Sequence, residues 1–196
     1  MKILLLDNYD SFTYNLAHYL RELTGEEIDV IRNDQITLGE VDAYDAIVLS
    51  PGPGLPKDAG IMPELIRKYS PTKKILGVCL GMQAIGEAFG GTLLNLPSVF
   101  HGVATTATIL RTDEILFRNL PSKIEVGRYH SWVVDETKLP PDLEITAIDE
   151  SGRVMALRHK RYDVRGVQFH PESVLTPHGK TMISNWLKTP QVETWG

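Results

Sequence analysis

Only one cysteine, Cys79, stands in the 196 residues, so no intrachain disulfide can form and stability has to come from a packed core. Long apolar runs are missing as well. The opening Met1-Lys2-Ile3-Leu4-Leu5-Leu6 meets Asp7 after four consecutive apolar residues, too few for a secretory signal core. No stretch nears the roughly 20 apolar residues that a membrane span needs. Positive charge is in deficit, with 20 Lys+Arg against 25 Asp+Glu and no basic block, which argues against a nucleic-acid partner. Metal-ligand spacings are lacking too, since neither H-E-x-x-H nor paired C-x-x-C occurs. These absences predict a soluble protein of a reducing compartment, most simply the cytoplasm.

What is present is a chain that is 42% hydrophobic and of a length for one domain, residues 1–196. Its first half alternates short apolar runs with amphipathic stretches, the pattern of parallel strands covered on both faces by helices. Strands are predicted at Lys2–Leu6, Ile28–Arg32, Tyr44–Leu49 and Ile75–Val78. A helix capped by Ser11 runs to about Leu23, with Phe12, Leu16, Tyr19, Leu20 and Leu23 on one face and Gly25 ending it. Further helices are expected over Ile61–Tyr69 and Leu80–Phe89, the latter stopped by Gly90-Gly91.

The second half changes character. Gly91–Leu110, Lys123–Val134 and Leu143–Arg158 carry shorter strand-like runs with turn punctuation, predicting antiparallel strands flanking the parallel sheet. Arg165–Phe169 reads as a return to the main sheet, and Gly179–Leu187 as a closing helix before a polar tail. The fold class is therefore α/β, an open and mostly parallel sheet with antiparallel additions.

The cysteine sits in Gly77-Val78-Cys79-Leu80-Gly81, between a buried strand and a helix, which is the layout of a nucleophile elbow. Glycines on both sides let the chain turn sharply and let neighbouring backbone come close. A helix starting at Leu80 aims free N–H groups at the sulfur, favouring its charged form and leaving the Leu80 N–H for an oxyanion. The plainer reading is a small buried apolar residue, the usual state of a lone cysteine.

A nucleophilic thiol needs a base that can later protonate a departing amine, and histidine suits both duties. Of six histidines, His170 ends the run Val167-Gln168-Phe169 and so emerges at the same carboxyl edge as Cys79. Pro171 keeps the chain extended at His170, which sets Glu172, two residues on, to the same side as a carboxylate to orient the imidazole. Alone, His-Pro-Glu is as readily a solvated turn. Ser50-Pro51-Gly52-Pro53-Gly54 follows the third strand at that edge. Pro53 has no N–H, whereas Gly54 can pair with Leu80 as oxyanion donors. An ordinary Pro/Gly turn is the alternative.

Together and in this order, S-P-G-P-G, G-V-C-L-G-M-Q and Q-F-H-P-E resemble the class I (triad) glutamine amidotransferases. The opening Leu6-Asp7-Asn8-Tyr9-Asp10-Ser11-Phe12-Thr13-Tyr14-Asn15 and the later Arg128-Tyr129-His130-Ser131 are similar to the branch serving chorismate-using synthases, so the resemblance spans nearly the whole chain. It implies a flavodoxin-like fold and a thioester mechanism with Cys79, His170 and Glu172. Glutamine contacts are implied at Gly52, Pro53, Gly54, Gln83, Ser131 and Trp132, although Gln83 by itself would pass for an exposed helix residue. It also implies a larger chorismate-binding partner subunit that receives the ammonia, with magnesium on the partner and no cofactor on this chain. Anthranilate synthesis is the first expectation, aminodeoxychorismate synthesis or dual use the alternative. Two readings from other classes stand beside these: a stand-alone gamma-glutamyl cysteine hydrolase, and a non-catalytic flavodoxin-like binding module.

Overall fold

The computed structural model describes residues 1–189, so the expected polar tail falls outside the described residues. In chain order the elements are β1 (Ile3–Asp7), α1 (Thr13–Thr24), β2 (Asp29–Arg32), β3 (Ala46–Leu49), α2 (Met62–Tyr69), β4 (Lys74–Val78), α3 (Leu80–Ala88), β5 (Leu93–Asn95), β6 (Val103–Ile109), β7 (Lys123–Arg128), β8 (Trp132–Val134), β9 (Leu143–Asp149), β10 (Val154–His159), β11 (Val164–Val167) and α4 (Gly179–Lys188). A nine-stranded sheet runs in the order β2-β1-β3-β4-β11-β10-β9-β6-β7, and β5 pairs with β8 in a separate ribbon. From β2 to β11 every pairing is parallel, and beyond β11 every pairing is antiparallel. The antiparallel strands thus extend one edge of the parallel sheet rather than both.

Strand periodicity explains why both faces are covered. Ile3 and Leu5 point into a cluster with Leu16 and Leu20 of α1 and Met182, Ile183 and Trp186 of α4. Leu4 and Leu6 point the other way, into a cluster with Leu65 and Ile66 of α2 and Met82 and Ile85 of α3. Each fully buried aliphatic side chain stabilises the fold by roughly 1.5–3 kcal/mol, so neither face could be left bare. No helix among the described residues is long and apolar enough to cross a membrane.

Two local expectations are corrected. Ser11 does not cap α1, whose N-cap position falls one residue later on Phe12 with no side-chain capping bond. The Asp10 carboxylate accepts the Phe12 N–H at 2.8 Å, and Asp7 Oδ1 accepts from the Tyr9 N–H at 2.9 Å and the Thr13 hydroxyl at 2.9 Å. Gly25 does end the helix, at φ 70° with its N–H on the Arg21 carbonyl. The return strand, expected over Arg165–Phe169, stops at Val167, since the chain then bends toward a tight turn at His170.

The topology fixes the site. β3, β4 and β11 are adjacent and parallel, with Leu49 opposite Gly77 and Val78 opposite Val167. Segments that follow these three strands therefore leave the sheet side by side at one carboxyl edge, where ligands of open α/β sheets bind.

Candidate active site

Cys79 is the residue on which β4 turns into α3, and its backbone is at φ 55°, ψ −103°. Positive φ is strained for a side chain with a Cβ, and such strain persists only where the surroundings enforce it. Here the enforcement is close packing. A Cβ on Gly77 would lie 2.6 Å from the Gly81 backbone, and one on Gly81 would lie 2.7 Å from the Leu49 carbonyl, so both glycines are required for the elbow to sit against β3. The Cys79 N–H donates to the Val167 carbonyl at 2.8 Å, locking the turn to β11.

Although Cys79 is only 5% exposed, it faces a cavity of about 260 Å³. Gly52, Pro53, Gly54, Gln83, Ser131 and Trp132 all line that cavity with it, as do Tyr129 and His130. His170, Glu172 and Leu80 are not in its lining; the first two lie buried behind the sulfur. Gly54 adopts φ 73°, and neither its N–H nor that of Leu80 donates to another group among the described residues. Asn8 secures the proline-glycine loop, its main-chain N–H donating to Ser50 Oγ and its side-chain amide to the Ser50 carbonyl, both at 2.8 Å.

His170 Nδ1 and Glu172 Oε1 are 2.6 Å apart, both side chains essentially without exposure. The pair forms by a different route from the extended chain expected. The Ser173 N–H returns to the His170 carbonyl at 3.2 Å, so His170-Pro171-Glu172-Ser173 is a turn that folds the carboxylate back onto the ring. Further bonds hold the turn in place, with the His170 N–H on the Gly127 carbonyl at 3.0 Å and the Thr176 hydroxyl on the His170 carbonyl at 2.7 Å. Phe12 and Tyr129 close over the imidazole, with centroids at 5.1 and 4.7 Å.

Burial by itself pushes the His170 pKa down, but the neighbouring Cys79 sulfur and Glu172 carboxylate outweigh it and raise it to about 10. Among the described residues Nε2 meets no partner at strict hydrogen-bond geometry, yet the Cys79 sulfur lies close enough to act as its acceptor and raise the ring's pKa, the looser approach usual before substrate binds. His130 behaves oppositely. Burial and the Arg128 charge lower it to about 3, leaving a neutral ring.

An imidazole whose pKa rises on folding holds its proton more tightly in the native state. That contribution to stability is complete below pH 6.5 and is lost as pH climbs toward about 10. Replacing His170 by Gln is expected to flatten this part of the stability curve. Unfolding free energies of the two proteins, taken from urea titrations from neutral to alkaline pH, converge by on the order of a few kcal/mol; parallel curves would refute the coupling.

Three neighbours of the cavity, Gln168, Arg128 and His130, stand in the quoted motifs but had no role assigned from sequence. Gln168, wholly buried, donates its amide to Cys79 Sγ at 3.5 Å. The parity argument applied to Glu172 would have found it, because it lies two residues before His170. Arg128 and His130 are joined at 3.1 Å, and Arg128 pairs with Asp149 at 2.9 Å, a buried link with no local sequence signal. No group of three or more His, Cys, Asp or Glu residues able to hold a metal ion occurs among the described residues.

Known proteins share both sequence and fold. The family model described as glutamine amidotransferase class-I matches residues 4–189. The chain is 46% identical over 187 residues to aminodeoxychorismate synthase component 2 of Escherichia coli K12, covering 94% of this chain and 98% of that protein. It is 47% identical over 195 residues to the chloroplastic anthranilate synthase beta subunit 1 of Oryza sativa, covering 95% of this chain and 66% of that protein. With the bifunctional protein TrpGD of Thermotoga maritima it shares 44% identity over 195 residues, covering 98% of this chain and 33% of that protein. The chain thus spans a third to about two thirds of the length of these last two relatives. A glutamine amidotransferase structure from Thermotoga maritima superposes with a TM-score of 0.75 at 15% identity, covering 96% of each chain, and shares the fold. With a family model matched from the first strand to the last helix, and with the mixed sheet common to both structures, the chain belongs to the class I glutamine amidotransferases.

Proposed function

We propose that this chain hydrolyses L-glutamine at Cys79 and passes the ammonia to a separate chorismate-using subunit. The observation that carries the reading is the strained elbow that presents Cys79 to the cavity, with the buried His170–Glu172 pair beside it in the turn that follows β11. Cys79 Sγ attacks the side-chain amide carbon, and the Gly54 and Leu80 N–H groups receive the resulting oxyanion. His170, held protonated beside Glu172, gives its proton to the departing ammonia, leaving a glutamyl thioester. Water, deprotonated by His170, then hydrolyses the thioester and glutamate is released. Gly52, Pro53, Gly54, Gln83, Ser131 and Trp132 form the glutamine pocket. The Trp132 carbonyl already accepts from Gln83 and the His130 ring, whereas the Ser131 carbonyl accepts from the Leu96 N–H and keeps a second lone pair.

Relatives named for both branches support a chorismate-using partner, and anthranilate synthesis is the branch we favour, with aminodeoxychorismate synthesis the alternative. A reaction that runs on a free thiol suits the reducing conditions of the cytoplasm. Glutamine-dependent ammonia release, measured for this chain alone and then with anthranilate-forming and aminodeoxychorismate-forming subunits, tests the reading. Weak activity alone and a marked rise with one partner are expected. Full activity alone, on gamma-glutamyl peptides in preference to glutamine, would instead identify a stand-alone hydrolase.

A further inference from the structure

We propose that Gln168 holds the Cys79 sulfur in its reactive state, and that the main-chain carbonyl of Trp132 dictates the direction in which it does so. The proposal deepens the reading of Cys79 as the nucleophile and rests on it. Gln168 is fully buried just beyond β11, between Val167 and Phe169, an environment in which an amide is kept only if its hydrogen bonds are made. Its nitrogen lies 3.5 Å from Cys79 Sγ and its oxygen 3.3 Å from Gln83 Nε2.

An amide can be turned end for end, so which end meets the sulfur has to be argued from its neighbours. Arg128 sets the first direction, because it can only donate. Its Nε is 3.1 Å from His130 Nε2, so in the neutral ring the proton sits on Nδ1 and is given to the Trp132 carbonyl at 3.0 Å. That carbonyl, which can only accept, also takes the Gln83 amide at 2.9 Å. Gln83 must therefore present nitrogen on this side, and its second N–H meets Gln168 Oε1. Gln168 is left with its own nitrogen facing the sulfur. Turning Gln83 would set its oxygen against the Trp132 carbonyl and Gln168 Oε1, and turning Gln168 would set its N–H groups against those of Gln83 and its oxygen against the sulfur. A fixed acceptor in the backbone thus guarantees that a donor, and never a lone pair, reaches Cys79.

The consequence for the chemistry is specific. An amide N–H steadies negative charge on sulfur without being able to protonate it, which leaves proton transfer to His170 alone. Both hydrogens of Gln83 are committed to this chain of bonds, so Gln83 meets substrate through Oε1, as an acceptor suited to an ammonium or amide N–H.

Cys79 is the only cysteine, so its alkylation by iodoacetamide is a single-site readout, followed by mass across roughly pH 5 to 9. Gln168→Met removes the donor at similar volume, and Gln168→Glu replaces it with an acceptor of the same shape. Each is expected to slow alkylation near neutrality by about ten-fold, with the pH dependence displaced upward, Glu more than Met. Gln83→Met, which leaves Gln168 in place but unlocks its direction, is expected to slow alkylation by about two- to five-fold and carries the test if the Gln168 variants fold poorly. In glutamine hydrolysis the Gln168→Met loss falls mainly on kcat, with KM little changed. Folded variants with the native alkylation profile overturn the proposal even if the native chain hydrolyses glutamine. A displaced profile in a chain with no glutaminase activity supports it and overturns the functional reading instead.

Discussion

Cys79→Ser lowers glutamine-dependent ammonia release by about 10⁴-fold or more while leaving the fold in place, because serine keeps the shape of the elbow but has no readily ionised nucleophile. The measurement is ammonia produced per chain in the presence of the partner subunit, with the urea midpoint as control for folding. Ammonia supplied directly to the complex bypasses the lesion if the chain's task is to furnish it. A glycine at the same position separates chemistry from strain. Cys79→Gly is equally inactive, yet it relieves the positive φ and is expected to be more stable than native by about 1 kcal/mol. Residual hydrolysis within ten-fold of native in either variant would remove Cys79 from the mechanism.

Glu172→Gln is the second large effect. The carboxylate is fully buried, with Oε1 2.6 Å from His170 Nδ1, so the amide fits the same space while the charge disappears. Without that charge the imidazolium formed during attack is no longer stabilised, and kcat is expected to fall by about 10³- to 10⁴-fold. A shape-preserving change makes loss of packing a poor explanation, and an unchanged urea midpoint at alkaline pH would exclude it. If kcat fell less than ten-fold, Glu172 would be no more than a structural partner of the turn.

Much of the parallel half could be read in the sequence because β1, β3 and β4 are apolar runs each answered by a helix whose period is plain. The positions of S-P-G-P-G, Cys79 and His170 at one edge follow from that reading alone, given that β3, β4 and β11 are neighbours. That adjacency was not legible. β11 arrives from far along the chain, and nothing local says that it pairs with β4 or that β6 lies between β9 and β7. Short-range chemistry misled in a different way. Ser11 is a sound cap in isolation, but α1 begins one residue later, at an N-cap Phe12 whose own N–H is accepted by the Asp10 carboxylate. Glu172 reaches His170 as expected, by a turn the tripeptide does not announce. Gln168 was missed for another reason, since a polar residue in an apolar run reads as an irregularity until its partners are seen.

The oxygen of residue 132 belongs to the backbone, so it survives any replacement of the indole attached there. Mutation can remodel the pocket wall at that point, widening or narrowing what enters, without disturbing the polarity imposed on the sulfur. Selection of cargo and readiness to react are thereby assigned to different atoms of one residue, and each is free to drift without the other.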